Sequence, residues 1–215
     1  MTVIINGTDG INVASTTGVI NLLGSTSGAV TIAAPAVAGT NTLTLPAATG
    51  TILTTASGSQ SVPRAAMPAG AVIQVLQTVK TNTFSTSSGS PVDITGLSVS
   101  ITPTTSASKI LVMMDIGVVG TQSAATGNFY IVRNSTIIGN GAGATNNISA
   151  GVYQNAGNSF YDALSFTFLD SPATTSATTY KVQVSSDTAT VFVGRRAADT
   201  FVGGACTITV MEIAA

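Results

Sequence analysis

The stretch KILVMMDIGVVG, Lys109 to Gly120, decides the fold. In an extended chain Ile110, Val112, Met114, Ile116 and Val118 share one face, while Leu111, Met113 and Val119 share the other. A strand that is apolar on both faces is buried on both. The expected covers are an opposite sheet on one side and a neighbouring subunit on the other. A bilayer span needs about 20 predominantly apolar residues. This stretch is shorter, begins with Lys109 and contains Asp115 and Gly117, so no membrane insertion is expected.

Working outward, runs of alternating apolar and polar residues separated by turn clusters predict eight strands: Ala71–Lys80, Val92–Ile101, Lys109–Val119, Asn128–Ile138, Phe160–Leu169, Thr179–Ser185, Thr190–Arg195 and Ala205–Ile213. No segment carries helical periodicity. Strands of this number and length fit an antiparallel β-sandwich, jelly-roll-like in connection. In the second strand the apolar rhythm of Val92 and Ile94 resumes at Leu97, Val99 and Ile101, so Gly96 is expected to mark a bulge. Leu164, Phe166 and Phe168 fall on one face and are expected in the core. Phe84 is placed ahead of a Ser/Thr-rich turn.

Upstream the texture changes. From Gly10 to Pro63 there is no charged side chain, yet the stretch contains VTIAAPAVAGTNTLTLPAATGTIL, Val30 to Leu53. Short strands are expected near Val3–Ile5, Val19–Leu23, Val30–Ala33, Thr42–Leu45 and Ile52–Thr54. Uncharged strand edges are templates for sticking to other chains and need a cover. The expected cover is another copy. The organisation is therefore all-β: an extended strand-rich shaft over residues 1–54, a linker over 55–70 (TASGSQSVPRAAMPAG from Thr55) and a sandwich head over 71–215.

Composition points the same way. Charged residues make up 7% of the chain, against about 25% in ordinary soluble domains, and the mean hydropathy is +0.47. Such a chain is expected to hide surface in an assembly. A net charge of −1 argues against nucleic acid as a partner. The amino-terminal MTVIINGTDG lacks the basic start and long apolar core of a secretion signal. The single Cys206 reads as a small buried filler.

No histidine occurs anywhere, which removes the usual general base, the Ser-His-Asp and Cys-His arrangements and imidazole zinc sites. Asp93, Asp115, Asp162, Asp170, Asp187, Asp199 and Glu212 are isolated in sequence, and nothing in their spacing favours a glycosidase pair. The chain is expected to be no enzyme and to carry no cofactor or metal.

One long segment stands out as a binding candidate. GNGAGATNNISAG, Gly139 to Gly151, lacks the Lys-[ST] of a phosphate loop. Continuing to Asn158, it reads as a mobile loop bearing Asn146, Asn147, Tyr153, Gln154, Asn155 and Asn158, and loops of this length are often functional. Amides hydrogen-bond sugar hydroxyls in fixed directions, and a Tyr ring packs on the apolar face of a pyranose. Arg195, Arg196 and Asp199 form the densest charge in the chain, suited to an acidic sugar or to an intersubunit ion pair.

Two stretches carry a family resemblance. TVIINGTDGI, Thr2 to Ile11, and GAVTIAAPAVAGTNTLTLPAATGTI, Gly28 to Ile52, resemble the amino-terminal part of bacteriophage tail fibre proteins, where ING-x-x-GI and G-x-VT-x-x-AP-x-x-AGT-x-TLTLP-x-x-x-GT recur. ITPTTSASKILVMMDIGVVG, Ile101 to Gly120, and ACTITVMEIAA, Ala205 to Ala215, resemble the carboxy-terminal heads of viral fibres. The resemblance implies a homotrimer in the virion tail. Its amino-terminal segment would dock on a tail baseplate protein, and its head would contact host surface polysaccharide or lipopolysaccharide. A fibre adaptor or decoration protein that never touches the host is the rival, and a glycan depolymerase a more distant one.

Overall fold

A computed structural model describes residues 19–23, 29–33, 67–122, 124–154 and 160–215. The chain divides into two units, Met1–Leu53 and Thr54–Ala215. In the first, β1 (Val19–Leu23) and β2 (Ala29–Ala33) pair antiparallel, with Val19 opposite Ala33 and Leu23 opposite Ala29. The strands expected at Val3–Ile5, Thr42–Leu45 and Ile52–Thr54 lie outside the described residues.

The second unit holds β3 (Val72–Lys80), β4 (Phe84–Thr86), β5 (Val92–Ile101), β6 (Lys109–Thr121), β7 (Ala125–Arg133), β8 (Thr136–Ile138), β9 (Ala150–Gln154), β10 (Asp162–Asp170), β11 (Thr178–Ser186), β12 (Val191–Val193) and β13 (Cys206–Ile213). No helix occurs among the described residues. Eight of these strands form one long hairpin rolled on itself: β3 pairs with β13, β5 with β11, β6 with β10 and β7 with β9, all antiparallel. Pairing of β13 with β6 and of β11 with β7 then closes two sheets. That order is the jelly roll. The sheets run β3-β13-β6-β10, extended by β12 and β4, and β5-β11-β7 with β8 and β9 sharing the last edge.

The core lies between them. Ile110, Val112, Met114 and Ile116 of β6 are fully buried against Leu97, Ile101, Phe129, Ile131, Tyr180 and Val182 of the other sheet. Burying each such side chain contributes about 1.5–3 kcal/mol. Leu164, Phe166 and Phe168 of β10 pack on this core, half-buried. Gly96, at φ +84°, sits where the β5–β11 register shifts, so the predicted bulge is present.

Three sequence expectations are corrected. The strand expected over Asn128–Ile138 is a hairpin, because Asn134 turns at φ +54° and sends β8 back along β7. Part of the loop expected over Gly139–Asn158 is β9, which pairs with Ala125–Phe129 of β7. Phe84 begins β4, which pairs with β12.

Polar ties lock the sheets at one end. Asp170 of β10 accepts two bonds from Arg133 of β7, both at 2.9 Å, and one from the Tyr180 hydroxyl of β11 at 2.7 Å. Burial, then the Asp170 bond, hold the Tyr180 proton far more tightly than in a free phenol. Nearby Glu212 is fully buried and accepts from the Thr104 amide, the Ser108 hydroxyl and the Gln74 amide. Burial works to raise its pKa, but these donors outweigh burial and lower it. The same end takes chain entry and the carboxy terminus: Gly70 N donates to Ala214 O at 2.8 Å, and Ala214 N to Ala71 O at 2.9 Å.

Candidate functional site

The two sheets differ in the chemistry they present outward. On β5 and β11 the outward positions are polar, while on β7 the same face holds Tyr130 and Val132, each 2% exposed. Lys181 Nζ lies 2.8 Å from Asp93 Oδ2, Gln183 donates to Asp93 Oδ1 at 2.7 Å, and Ser100 and Thr179 share a hydroxyl bond of 2.7 Å. The Lys181 and Gln183 bonds draw the Asp93 carboxyl below its usual range. Such a face is at home in water.

On the β3-β13-β6-β10 sheet the register sets Val75, Met211, Leu111 and Leu169 in one cross-strand row. Val75 and Leu169 are 51% and 52% exposed. Val72 and Ile213 form the next pair towards one end, and Met113 heads the next row towards the other, where Gln77 donates to Thr209 at 2.8 Å. Lys109 and Asp115 are the two charges on this side of β6, the first at its start and the second at its middle. Beside Asp115 lies an open depression of about 260 Å3 lined by Gly117, Ala163, Leu164, Ser165 and Ala205. It falls below the about 300–1,000 Å3 of a small-molecule pocket.

The far end of the sandwich, opposite chain entry, is the second candidate. There the β12–β13 loop doubles back over β6, which is possible because position 120 is glycine: a Cβ would run into the Ala197 amide. Arg196 grips Asp199 through Nε at 2.7 Å and Nη2 at 2.8 Å, and its guanidinium lies 5.1 Å from the Phe201 ring centre. The Asp199 carboxylate, and more weakly the Tyr161 phenol, raise the Arg196 pKa. In return Arg196, helped by the Phe201 amide, holds Asp199 down to about 2. Phe201 is 84% exposed, and Phe160, Tyr161 and Tyr153 are exposed too.

The structure scatters the residues singled out from sequence. Tyr153 and Arg196 belong to the far end. Arg195 serves its own loop, stacking 4.0 Å over Phe192 and donating to the carbonyls of Arg196, Ala197 and Asp199. Gln154 is buried, accepting from the Thr121 amide at 2.9 Å and donating to Asp162 at 3.1 Å, so it ties β9 to the other sheet. Asn146 accepts the Tyr130 hydroxyl bond at 2.9 Å, and Asn147 accepts from the Ala144 amide. These two sit in the segment between β8 and β9, beside the middle of β7 rather than at the far end. Asn155 and Asn158 lie outside the described residues. Phe160, Tyr161 and Phe201 were missed in the sequence. Phe160 and Tyr161 fall at the start of the strand expected over Phe160–Leu169, which in the structure begins at Asp162, and Phe201 falls in a segment with no period.

Six of the seven acidic side chains after the linker are engaged structurally, and Asp115 is exposed. Asp93, Asp162, Asp170, Asp187, Asp199 and Glu212 each accept hydrogen bonds from named protein donors. Among the described residues no three His, Cys, Asp or Glu side chains gather as a metal site.

No family model and no curated protein matches the chain. Among solved structures it is similar to one titled "Structure of infectious bursal disease virus Gx strain", at 13% identity and a TM-score of 0.36, over 66% of this chain and 43% of that one. It is also similar to the infectious bursal disease virus VP2 subviral particle, at 13% identity and a TM-score of 0.31, over 66% of this chain and 38% of that one. The chain thus spans less than half the length of either.

Proposed function

We propose that this chain is a non-enzymatic subunit of a bacteriophage tail fibre, a homotrimer whose amino-terminal segment docks on a tail baseplate protein and whose jelly roll contacts a host surface glycan. The fibre half of this reading rests on the ING-x-x-GI and TLTLP motifs and on the charge-free stretch from Gly10 to Pro63. The contact half is carried by one observation. Exposed aromatic rings gather around Arg196 at the end of the sandwich away from chain entry.

Exposed rings offer flat apolar faces to the CH faces of pyranoses, and the Arg196–Asp199 pair offers a fixed fork of donors and acceptors to hydroxyls. The bidentate geometry keeps that fork rigid, so little is lost in ordering it when a sugar binds. Six of the seven acids after the linker are occupied as acceptors in structural bonds and the seventh, Asp115, is exposed without a second carboxylate in the lining beside it, which supports a binding role over glycan cleavage. A bound sugar would be held and released unchanged.

The test is adsorption of the purified full chain to bacterial cells and to their extracted surface polysaccharide. Binding is expected on a susceptible strain, without release of new reducing ends. Replacing Phe201 and Tyr161 together by alanine is expected to weaken it at least about tenfold at unchanged melting temperature, since stacking contacts of this kind are worth about 1 kcal/mol or more each. Binding unaltered by that double change overturns the far-end assignment, and new reducing ends overturn the non-enzymatic one.

A further inference from the structure

We infer that the depression beside Asp115 is a subsite for one neutral pyranose ring, held by a pair of adjacent hydroxyls that donate to the Asp115 carboxylate. The inference rests on the glycan reading above and names the sugar that the site takes. Its shape comes from three small residues. Gly117 of β6 lies between Ala163 of β10 and Ala205 at the foot of β13, and its amide donates to the Ala205 carbonyl at 3.1 Å. A Cβ at 117 would run into that carbonyl oxygen, so the chain closes in here over a floor without large side chains. The opening of about 260 Å3 is too small for a drug-sized ligand and has room for a single ring.

The rim supplies the chemistry. Asp115 stands outward with Ser165 of β10 and Thr207 of β13 directly opposite it on either side. A carboxylate only accepts, whereas a hydroxyl both donates and accepts. A ring with two adjacent hydroxyls matches that row, because both donate to the carboxylate while their oxygens accept from Ser165 and Thr207. Among the described residues the other six acids after the linker take hydrogen bonds from protein donors, and Asp115 takes none. Its oxygens are open to the donors of a ligand.

Position joins this subsite to the aromatic cluster. Gly117 and Gly120, over which the Arg196 loop crosses, lie within about 10 Å of each other at a strand rise of about 3.3 Å per residue. Linked rings of one sugar chain span that distance, one in the depression and the next against Tyr161 and Phe201. Charge then selects the sugar. Arg196 is held at Nε and Nη2 by Asp199, Arg195 donates to the carbonyls of its own loop, Lys80 is buried and Lys109 is at the start of β6. A uronic or sialic acid would bring its carboxylate to Asp115 with no uncommitted cation to meet it. A neutral hexose meets no such repulsion.

The test is binding of the full chain to polysaccharide extracted from a susceptible strain and separated by anion exchange into neutral and acidic fractions. Binding is expected to the neutral fraction. Asp115→Ala is expected to weaken it at least about tenfold at unchanged melting temperature, the size of a lost hydrogen bond to a charged group. Ala163→Leu, at an exposed position, fills the depression and is expected to do the same with the carboxylate still in place.

Binding that both variants keep, and that the double change of Phe201 and Tyr161 to alanine removes, overturns the subsite and leaves the glycan reading standing. Binding confined to the acidic fraction overturns the neutral assignment in the same way. No binding to cells or to either fraction sinks the glycan reading and the subsite together. Should a variant fail to fold, the wild type decides alone. Periodate, which cleaves between adjacent hydroxyls, is expected to strip binding from the neutral fraction, and undiminished binding after it overturns the inference.

Discussion

The outward faces of the two sheets come from the same strand grammar and end in different chemistry. On one, Asp93, Lys181, Gln183, Ser98, Ser100 and Thr179 satisfy each other or water. On the other, Val75, Met211, Leu111 and Leu169 line up with nothing polar between them. Both faces back onto the same core, so packing within the sandwich does not demand the difference. The difference lies in what each offers outward, solvated pairs on one and uncovered apolar side chains on the other.

That comparison holds only if the sheets stay back to back, and its sharpest break is at the joint. Asp170→Ala strips the acceptor from the buried Tyr180 hydroxyl and from the part-exposed Arg133 at once, and a buried polar group left unsatisfied costs about 1–3 kcal/mol. Chemical denaturation of the full chain is expected to show a loss of that order, and a loss below about 1 kcal/mol would mean that the tie is ornamental. Tyr180→Phe is the milder form of the same change.

The smallest expected effect lies on the polar face. Lys181→Ala should cost under about 1 kcal/mol, because the pair is solvated. Its sign with pH follows from Asp93. The folded carboxyl is drawn below its ordinary value near 3.8 by Lys181 and Gln183. The contribution is therefore full above that range and is lost as pH falls through the folded value. Denaturation at pH 7 and pH 3 should show the wild-type and Lys181→Ala proteins converging at the lower pH. A cost at pH 7 as large as that of Asp170→Ala would erase the distinction between a solvated face and a structural tie.

Much of the fold was legible because β6 declares itself. Alternation from Lys109 to Val119 gave its strand, its inward face and the expectation of a second cover, and Gly96 gave the bulge in β5. β9 was illegible, since AGVYQ has too few large apolar residues to alternate. Pairing to β7 and the buried amide of Gln154 hold it instead, and both are long-range. The hairpin at Asn134 was hidden inside a continuous apolar run, where only the left-handed turn separates β7 from β8.

The site was less legible than the fold. Residue type alone marked Arg195 and Gln154 as binders. Arg195 instead braces its loop over Phe192, and Gln154 bridges the sheets. Phe201 and Tyr161 gather around Arg196 only because Gly120 lets a loop cross the strand, a three-dimensional fact with a one-letter signature. Exposure, which decides whether an aromatic is core or contact, is not written in local sequence.

The most direct test of the account is the native mass of the full chain in solution, by light scattering or native mass spectrometry across a range of concentrations. The account predicts a mass of three chains of 21.3 kDa that persists on dilution. A stable monomer at all concentrations would contradict it, because the apolar sheet face and the charge-free amino-terminal stretch would then have no copies to cover them.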